Sequence, residues 1–475
     1  MPPPAGRPSA AILEGPIVRS LLTLAGPIVL ANVLQTVYQL TDTFWVGRLG
    51  AAAVAAVSFS FPVIFLFIAV GGGLTLAGTI LVSQAEGRGD TRQVDYVAAQ
   101  TYALVTLLAV VLSAIGYGLA APLLEIMGAG PDVLPMATDY LQLTYLGLVF
   151  VYGYFVFQAL LRGVGDVKTP LVVVAGTVVL NFVLDPLFIL GWGPVPALGV
   201  TGAAAATVST QGLAAVIGAG ILLSGRRPIR IRLKDLKPDL ALAGRIVRLG
   251  FPASVEQGMR ALGLAVLVTL VAGFGSEAVA AYGIGTRIFS FVLIPALGLS
   301  IATSTSVGQN VGAGQRLRAR QSATVGTWIA FGTLTAAGAL AFVFARPLVA
   351  AFVPDEPAVI AEGTRFLQIM APTWGFIGVQ LVIGGGFSGA GKTYVAMVLA
   401  IANLWVLRFP LAFVLSERTP LGLDGIWWAF PVSSVLAAAL AVGWFVRMLR
   451  TPIEGDDETV EEQAVAEATV GRPLG

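Results

Sequence analysis

Apolar residues run through this chain in stretches long enough to cross a bilayer, and the polar residues gather between them. A spanning helix needs about 20 apolar residues. Twelve such runs stand out, at roughly 17–42, 51–82, 95–120, 138–161, 169–190, 200–224, 243–273, 278–307, 321–345, 365–388, 393–415 and 425–449. The pattern predicts an all-α membrane protein with twelve transmembrane helices.

The runs also repeat. Pro27, Gly50 to Ala56 (GAAAVAA) and the Gln84, Gly87, Gly89 cluster return without a gap at Pro252, Gly275 to Ala281 (GSEAVAA) and Gln309, Gly312, Gly314, a spacing of 225 residues. Six helices per copy is an even number, so the copies run parallel, as two pseudo-symmetric six-helix lobes about an axis along the membrane normal. The expected organisation is an N-terminal segment (1–16), a first lobe (17–224), an inter-lobe linker (225–241), a second lobe (242–450) and a tail (451–475). The tail carries Asp456, Asp457, Glu458, Glu461 and Glu462 and is polar enough to stay disordered.

Composition narrows the class. With 56% hydrophobic residues, 11% charged residues and a mean hydropathy of +0.86, no water-soluble reading survives. Cytoplasmic loops collect Lys and Arg. With the N-terminus inside, 21 of the 28 basic residues fall in inside segments or at the inside ends of spans, while Arg48, Arg346 and Arg418 fall outside and Arg260, Arg287, Arg365 and Arg408 lie elsewhere within or at the ends of spans. Both termini are therefore expected in the cytoplasm, with the chain crossing the cell (plasma or inner) membrane many times. The basic run from Arg226 through Lys237 to Arg248 reads as a positive-inside anchor and linker, with an anionic-lipid site as the alternative. The opening MPPPAGRPSA lacks the apolar core of a secretory signal, so the first span is expected to direct insertion.

The chain has no Cys and no His. Thiolate metal sites, disulfides and imidazole proton shuttles are excluded, which leaves Asp and Glu for any proton chemistry. The stretch Gly386 to Thr393 (GFSGAGKT) matches a nucleotide-binding P-loop, which requires a strand before it and a helix after. A span-length apolar run precedes it instead, and the first repeat has a related loop at Gly163, Gly165, Lys168 and Thr169, so it reads as a tight inside turn. The glycine triplets at 71–73 and 384–386 read as close helix packing or bending, with mobile hinges as the sharper alternative.

Polar residues inside the spans are costly and few. In the first span Gln35, Tyr38 and Asp42 lie three and four residues apart and form one stripe, expected to face a cavity. The alternative places Asp42 among outer headgroups beside Phe44 and Trp45. In the fifth span Asn181 and Asp185 lie one turn apart, and Pro186 is expected to open the helix at Phe182; a surface Asp-Pro turn is the alternative. Thr207 in the sixth span joins the set or merely bonds its own backbone. The second repeat replaces Asp42, Asn181, Asp185 and Thr207 by Leu267, Trp405, Phe409 and Phe430, so the structure was duplicated and the acids were not. That asymmetry points to ion-coupled transport.

Together these residues resemble the multidrug and toxic compound extrusion (MATE) family, over nearly the whole chain. The stretches most similar to it are Leu40 to Gly50, Leu161 to Pro170 and Asn181 to Pro186. The resemblance implies the MATE fold and looks nearest to a DinF-like, archaeal-like branch. By that resemblance Asp42, Asn181, Asp185 and Thr207 form a first-lobe cation site, and Gln35 and Tyr38, with Tyr140 and Gln158, line the substrate cavity. Glu256 matches an acid that other branches use for coupling; the further acid they carry on the tenth span is absent, and Arg260 one turn on offers Glu256 an ion pair instead. The implied function is export of bulky apolar or cationic compounds in exchange for H⁺ or Na⁺ by alternating access. A buried carboxylate resists ionisation unless a cation or hydrogen bonds stabilise it, so occupancy selects the conformation. No enzyme activity, nucleotide, nucleic acid or cofactor beyond the coupling ion is expected, and the chain is expected to act as a monomer. A flippase for lipid-linked oligosaccharides or lipid precursors is the alternative; extra helices or a strongly basic cavity would mark it. A receptor or scaffold would leave the paired repeats and intramembrane acids unexplained.

Overall fold

The computed structural model describes residues 8–192 and 195–450. The acidic tail and the first seven residues lie outside the described residues. Seventeen α-helices follow in chain order: α1 (Pro8–Glu14), α2 (Ile17–Gly47), α3 (Ala51–Gly87), α4 (Thr91–Ile126), α5 (Leu134–Leu146), α6 (Leu148–Gly163), α7 (Lys168–Leu190), α8 (Val200–Ser224), α9 (Leu240–Ala272), α10 (Ser276–Gly312), α11 (Arg316–Val343), α12 (Ala345–Ala350), α13 (Pro357–Met370), α14 (Trp374–Gly389), α15 (Thr393–Ile401), α16 (Phe409–Glu417) and α17 (Leu423–Arg450). Eleven spans are long and apolar enough to cross a membrane. The twelfth is the pair α5 and α6, bent by 47°. The bend falls at Gly147, where Val208 of α8 occupies the space a side chain would need.

Several helices outrun their apolar cores. α3 continues to Gly87 and α10 to Gly312, beyond the hydrophobic runs, because their last turns are buried between the lobes where polar side chains find partners. The tenth span is interrupted by a 3₁₀ turn at Ala371–Thr373 and the eleventh by a π-helical segment, Ala402–Arg408. The duplication is written in the backbone as well. Gly50 and Gly275 have φ of 105° and 102°, Gly89 and Gly314 have 74° and 72°, and Gly165 and Gly391 have 86° and 79°. These left-handed positions favour glycine, and they close equivalent turns in the two halves.

Each lobe has its own apolar core, one built around Tyr145, Tyr152 and Phe157 and the other around Phe366, Trp374 and Trp427. The lobes meet through α3 against α9 and α10 against α2. Both faces of the inner half of α3, from Gly73 to Gly87, are largely buried, as is α10 from Ala302 to Asn310. At the opposite ends Phe61, Leu66 and Phe291 are exposed. The molecule is thus closed at the face where α2 begins and α17 ends, called here the terminal face, and splayed at the distal face. The helix α1 caps the closed end: Ser9 donates to Glu86 Oε1 at 2.8 Å and Arg318 donates to the carbonyls of Ile12 and Gly15.

The glycine triplets serve close packing. Gly71 faces the ring of Tyr152, Gly73 faces Ser254 and Gly250 of the other lobe, and Gly385 faces the Ser300 carbonyl. The P-loop-like stretch is entered from helix α14 and left by α15 through a turn at Gly391, with no strand leading into it. The linker is strapped to the first lobe. Arg92 on α4 holds Asp235 through two hydrogen bonds of 2.5 and 2.7 Å, Tyr96 donates to Asp239, and Gln100 donates to the carbonyls of Asp235 and Lys237.

Candidate functional site

The polar group in the first lobe is assembled from three apolar helices near their distal ends. α7 starts at Lys168, its first turn held by Asp166, which accepts from the Thr169 amide at 3.0 Å and hydroxyl at 2.7 Å, and it continues unbroken through Pro186 to Leu190. Asp185 therefore sits inside a helix, and both it and Asn181 have no solvent exposure. This excludes the surface Asp-Pro turn. The four-residue spacing stacks the two side chains, and Asn181 Nδ2 donates to Asp185 Oδ1 at 2.8 Å. The same amide reaches Asp42 Oδ1 on α2 at 3.4 Å, the long end of a hydrogen bond. Thr207 on α8 donates to Asp42 Oδ2 at 3.2 Å. The carboxylate of Asp42 is thus turned into the lobe, against the headgroup alternative.

Tyr38, one turn before Asp42, is buried and bonds the hydroxyl of Thr210 at 2.8 Å. The Thr210 hydroxyl donates its own proton to the Thr207 carbonyl at 3.0 Å, so Tyr38 is the donor of the pair. Thr210 was not singled out from sequence. Its signal was there, since it follows Thr207 by three residues on the same helix face.

Acceptors outnumber donors in this group. Asn181 Oδ1 and Asp185 Oδ2 are buried with no hydrogen-bond partner among the described residues. A charged acid at a helix centre costs about 2.5–3.5 kcal/mol on insertion scales, and a hydrogen bond to a charged group returns about 1.5–3 kcal/mol. The donors from Asn181 and Thr207 offset about one negative charge, and a second would stand uncompensated. The arrangement suits one shared positive species held among carboxylate, amide and hydroxyl oxygens.

The remaining candidates divide. Gln35 on α2 and Tyr140 on α5 are both half-buried. Gln158 departs from the expected cavity position. It lies near the terminal-face end of α6, 6% exposed, and accepts from Arg162 at 2.6 Å, so it is a packing partner inside the first lobe. The one-turn spacing to Arg162 carried that signal. Glu256 and Arg260 on α9 form the intrahelical ion pair at 2.7 Å. In the second lobe Leu267 and Phe430 are buried in the apolar core, and the rings of Trp405 and Phe409 lie tilted against each other with centroids 6.4 Å apart. No second acid pair is assembled there among the described residues.

A family model described as MatE matches residues 27–187 and 252–414, one segment in each lobe. The probable multidrug resistance protein YoeA of Bacillus subtilis is 32% identical over 431 residues, covering 90% of this chain and 93% of that protein. The FAD transporter of Shewanella oneidensis is 29% identical over 427 residues, with coverage of 90% and 93%. A solved structure of a multidrug resistance MATE transporter in an outward-facing conformation aligns with a TM-score of 0.86 at 25% identity, over 94% of this chain and 98% of that one.

Proposed function

The chain belongs to the MatE family, and from that premise we propose that it exports bulky apolar or cationic compounds in exchange for H⁺ or Na⁺ by alternating access. Members of this family are transporters and not enzymes, and YoeA, the NorM protein of Thermotoga maritima and PmpM of Pseudomonas aeruginosa are named for multidrug resistance. The observation that carries the coupling is the pair of buried, donorless oxygens on Asn181 and Asp185 beside Asp42.

The positive-inside distribution supports a cytoplasmic terminal face and an exterior distal face. In this orientation the splayed state opens the lobes outward. A proton or sodium ion arriving from outside binds Asp42 and Asp185 and removes the charge repulsion between them. That lets α2, α7 and α8 draw together and displace a solute resting near Gln35, Tyr38 and Tyr140. Release of the cation inward follows when the terminal face opens. Only a difference in cation affinity between the two states can drive the cycle. Carboxylate, amide and hydroxyl oxygens suit both ions, since all are hard acceptors.

Dye flux in proteoliposomes under an imposed pH gradient and, separately, a sodium gradient tests this reading. One gradient should drive efflux, and Asp42→Asn and Asp185→Asn should each abolish it while the purified proteins remain folded. Full gradient-driven flux in both variants would refute the assignment.

A further inference from the structure

The second lobe holds a polar group at the place equivalent to the first lobe's, and its sign is reversed. Arg408 ends the π-helical segment Ala402–Arg408. Its Nε donates to Ser433 Oγ at 3.0 Å, its Nη2 donates to Ser434 Oγ at 3.1 Å, and its guanidinium lies 4.7 Å from the centre of the Phe430 ring. Ser433 and Ser434 are fully buried. The repeat alignment that sets Phe430 against Thr207 sets Ser433 against Thr210, the residue that bonds Tyr38 in the first lobe. It likewise sets Arg260 of α9 against Gln35 of α2.

We infer that Arg408, with the side chains that hold it, is a binding subsite for an anionic group, a carboxylate, phosphate or sulfonate, carried by the transported solute. The inference rests on the transport reading and adds to it: the apolar or cationic solute of that reading also carries an anionic group, as a zwitterion does. Arg408 has five N–H donors and two engaged by protein, and a guanidinium does not give up its charge by deprotonation. Among the described residues no carboxylate is paired with Arg408, whose hydrogen-bond partners are the two serine hydroxyls. Arg260 is already matched by Glu256 at 2.7 Å. One positive charge is therefore left over inside a bilayer-spanning lobe, where an uncompensated charge is costly and marks a pathway or ligand site.

The surroundings are built to hold the guanidinium in place. Asn403 Nδ2 donates to Gln380 Oε1 at 2.7 Å, and Gln380 Nε2 donates to the Ser434 carbonyl at 2.8 Å, which ties α14, the π segment and α17 together around Arg408. π-Helical turns inside α-helices recur at functional sites, because the extra residue in the turn displaces a side chain from the helical register. Two hydroxyls and a ring face hold the cation without neutralising it, and a planar fork with unused N–H groups suits a bidentate anion.

Equilibrium binding to purified protein tests this without any gradient. The probes are rhodamine B, which carries a free carboxylate, and its ethyl ester, which does not. The wild type should bind the free acid more tightly than the ester, and benzoate should compete with the acid alone. Arg408→Met should weaken the acid by about tenfold or more, as for a buried charge pair that loses one partner, and leave the ester within about twofold. Arg408→Lys should fall between. No measurable binding of the free acid by the wild type, no preference for it, or an equal loss of both dyes in Arg408→Met would overturn the inference; the wild-type competition decides if the variants do not fold. Failure of gradient-driven flux with the acid preference intact would instead strike the coupling proposal alone.

Discussion

Gln84 and Gln309 make the same hydrogen bond in opposite directions across the lobe interface. Gln84 Nε2 on α3 donates to the carbonyl of Gly389 in the second lobe at 3.2 Å, and Gln309 Nε2 on α10 donates to the carbonyl of Gly163 in the first at 2.9 Å. The pair follows the 225-residue repeat and lies at the closed terminal face. Each bond exists only while the lobes are shut there. A net contribution of about 0.5–1.5 kcal/mol per bond means that Gln84→Ala with Gln309→Ala should raise the open-to-closed ratio by roughly 5- to 150-fold. The absence of Cys allows a spin-label pair at Thr91→Cys and Leu317→Cys to report the distance across this face. A distance distribution identical to that of the parent would show that the two glutamines do not latch it.

The same crossing explains two glycines. A methyl group built at Gly87 would overlap the Gln309 carbonyl, and one at Gly312 would overlap the Gln84 carbonyl. Both obstacles are backbone, so no side chain can turn aside to make room. Gly87→Ala and Gly312→Ala should each destabilise the closed terminal face by about 1–3 kcal/mol, the usual cost of overpacking. The same spin-label pair should register a longer distance in each variant, and the two should match because the contacts are related by the repeat. An effect in one and none in the other would break the symmetry argument.

The two acids of the first lobe should cost stability instead of supplying it. Asp185 is fully buried with one oxygen lacking a donor, so replacing it by its neutral isostere removes a charge that the fold compensates only in part. Asp185→Asn in detergent, with neither a pH nor a sodium gradient, should melt at the same temperature as the wild type or a few degrees higher. Tyr38→Phe should melt lower, since it loses the bond to Thr210 worth about 1 kcal/mol. A drop for Asp185→Asn as large as that for Tyr38→Phe would mark the carboxylate as structural.

The spans and the site were legible to different depths. The twelve apolar runs and the duplicated glycines could be read directly, because burial in lipid forces long apolar stretches and left-handed turns favour glycine. The group Asp42, Asn181, Asp185 and Thr207 was legible because acids inside a span are rare, and helical spacing put each on one face. The last turns of α3 and α10, Ser83 to Gly87 and Gly308 to Gly312, were not, since they lie past the apolar runs and stay helical only because the other lobe buries them. Gln158 misled because a polar residue in a span faces a cavity only if nothing on its own helix satisfies it, and Arg162 does. Arg408 was visible only as a charge in a span. Its meaning came from Ser433 and Ser434 on another helix, a pairing that no local pattern encodes.

The linker clasp makes a prediction about pH. Arg92 holds the Asp235 carboxyl below the ordinary carboxylate range, and the amide of Leu242 and the hydroxyl of Tyr96 do the same for Asp239. A depressed carboxyl favours the folded clasp at every pH above the unfolded value, about 3.9 for Asp, and the advantage is lost as pH falls below it through the folded value. Hydrogen exchange over residues 226–238 should therefore stay slow from neutral pH down to about pH 4 and quicken below that, after correction for the intrinsic rate. At neutral pH Asp235→Asn should open the segment to trypsin, which finds Arg226, Arg230, Arg232 and Lys234 there. Loosening centred near pH 6, or a linker equally resistant to trypsin in Asp235→Asn, would mean that the Arg92–Asp235 pair does not hold the strap on α4.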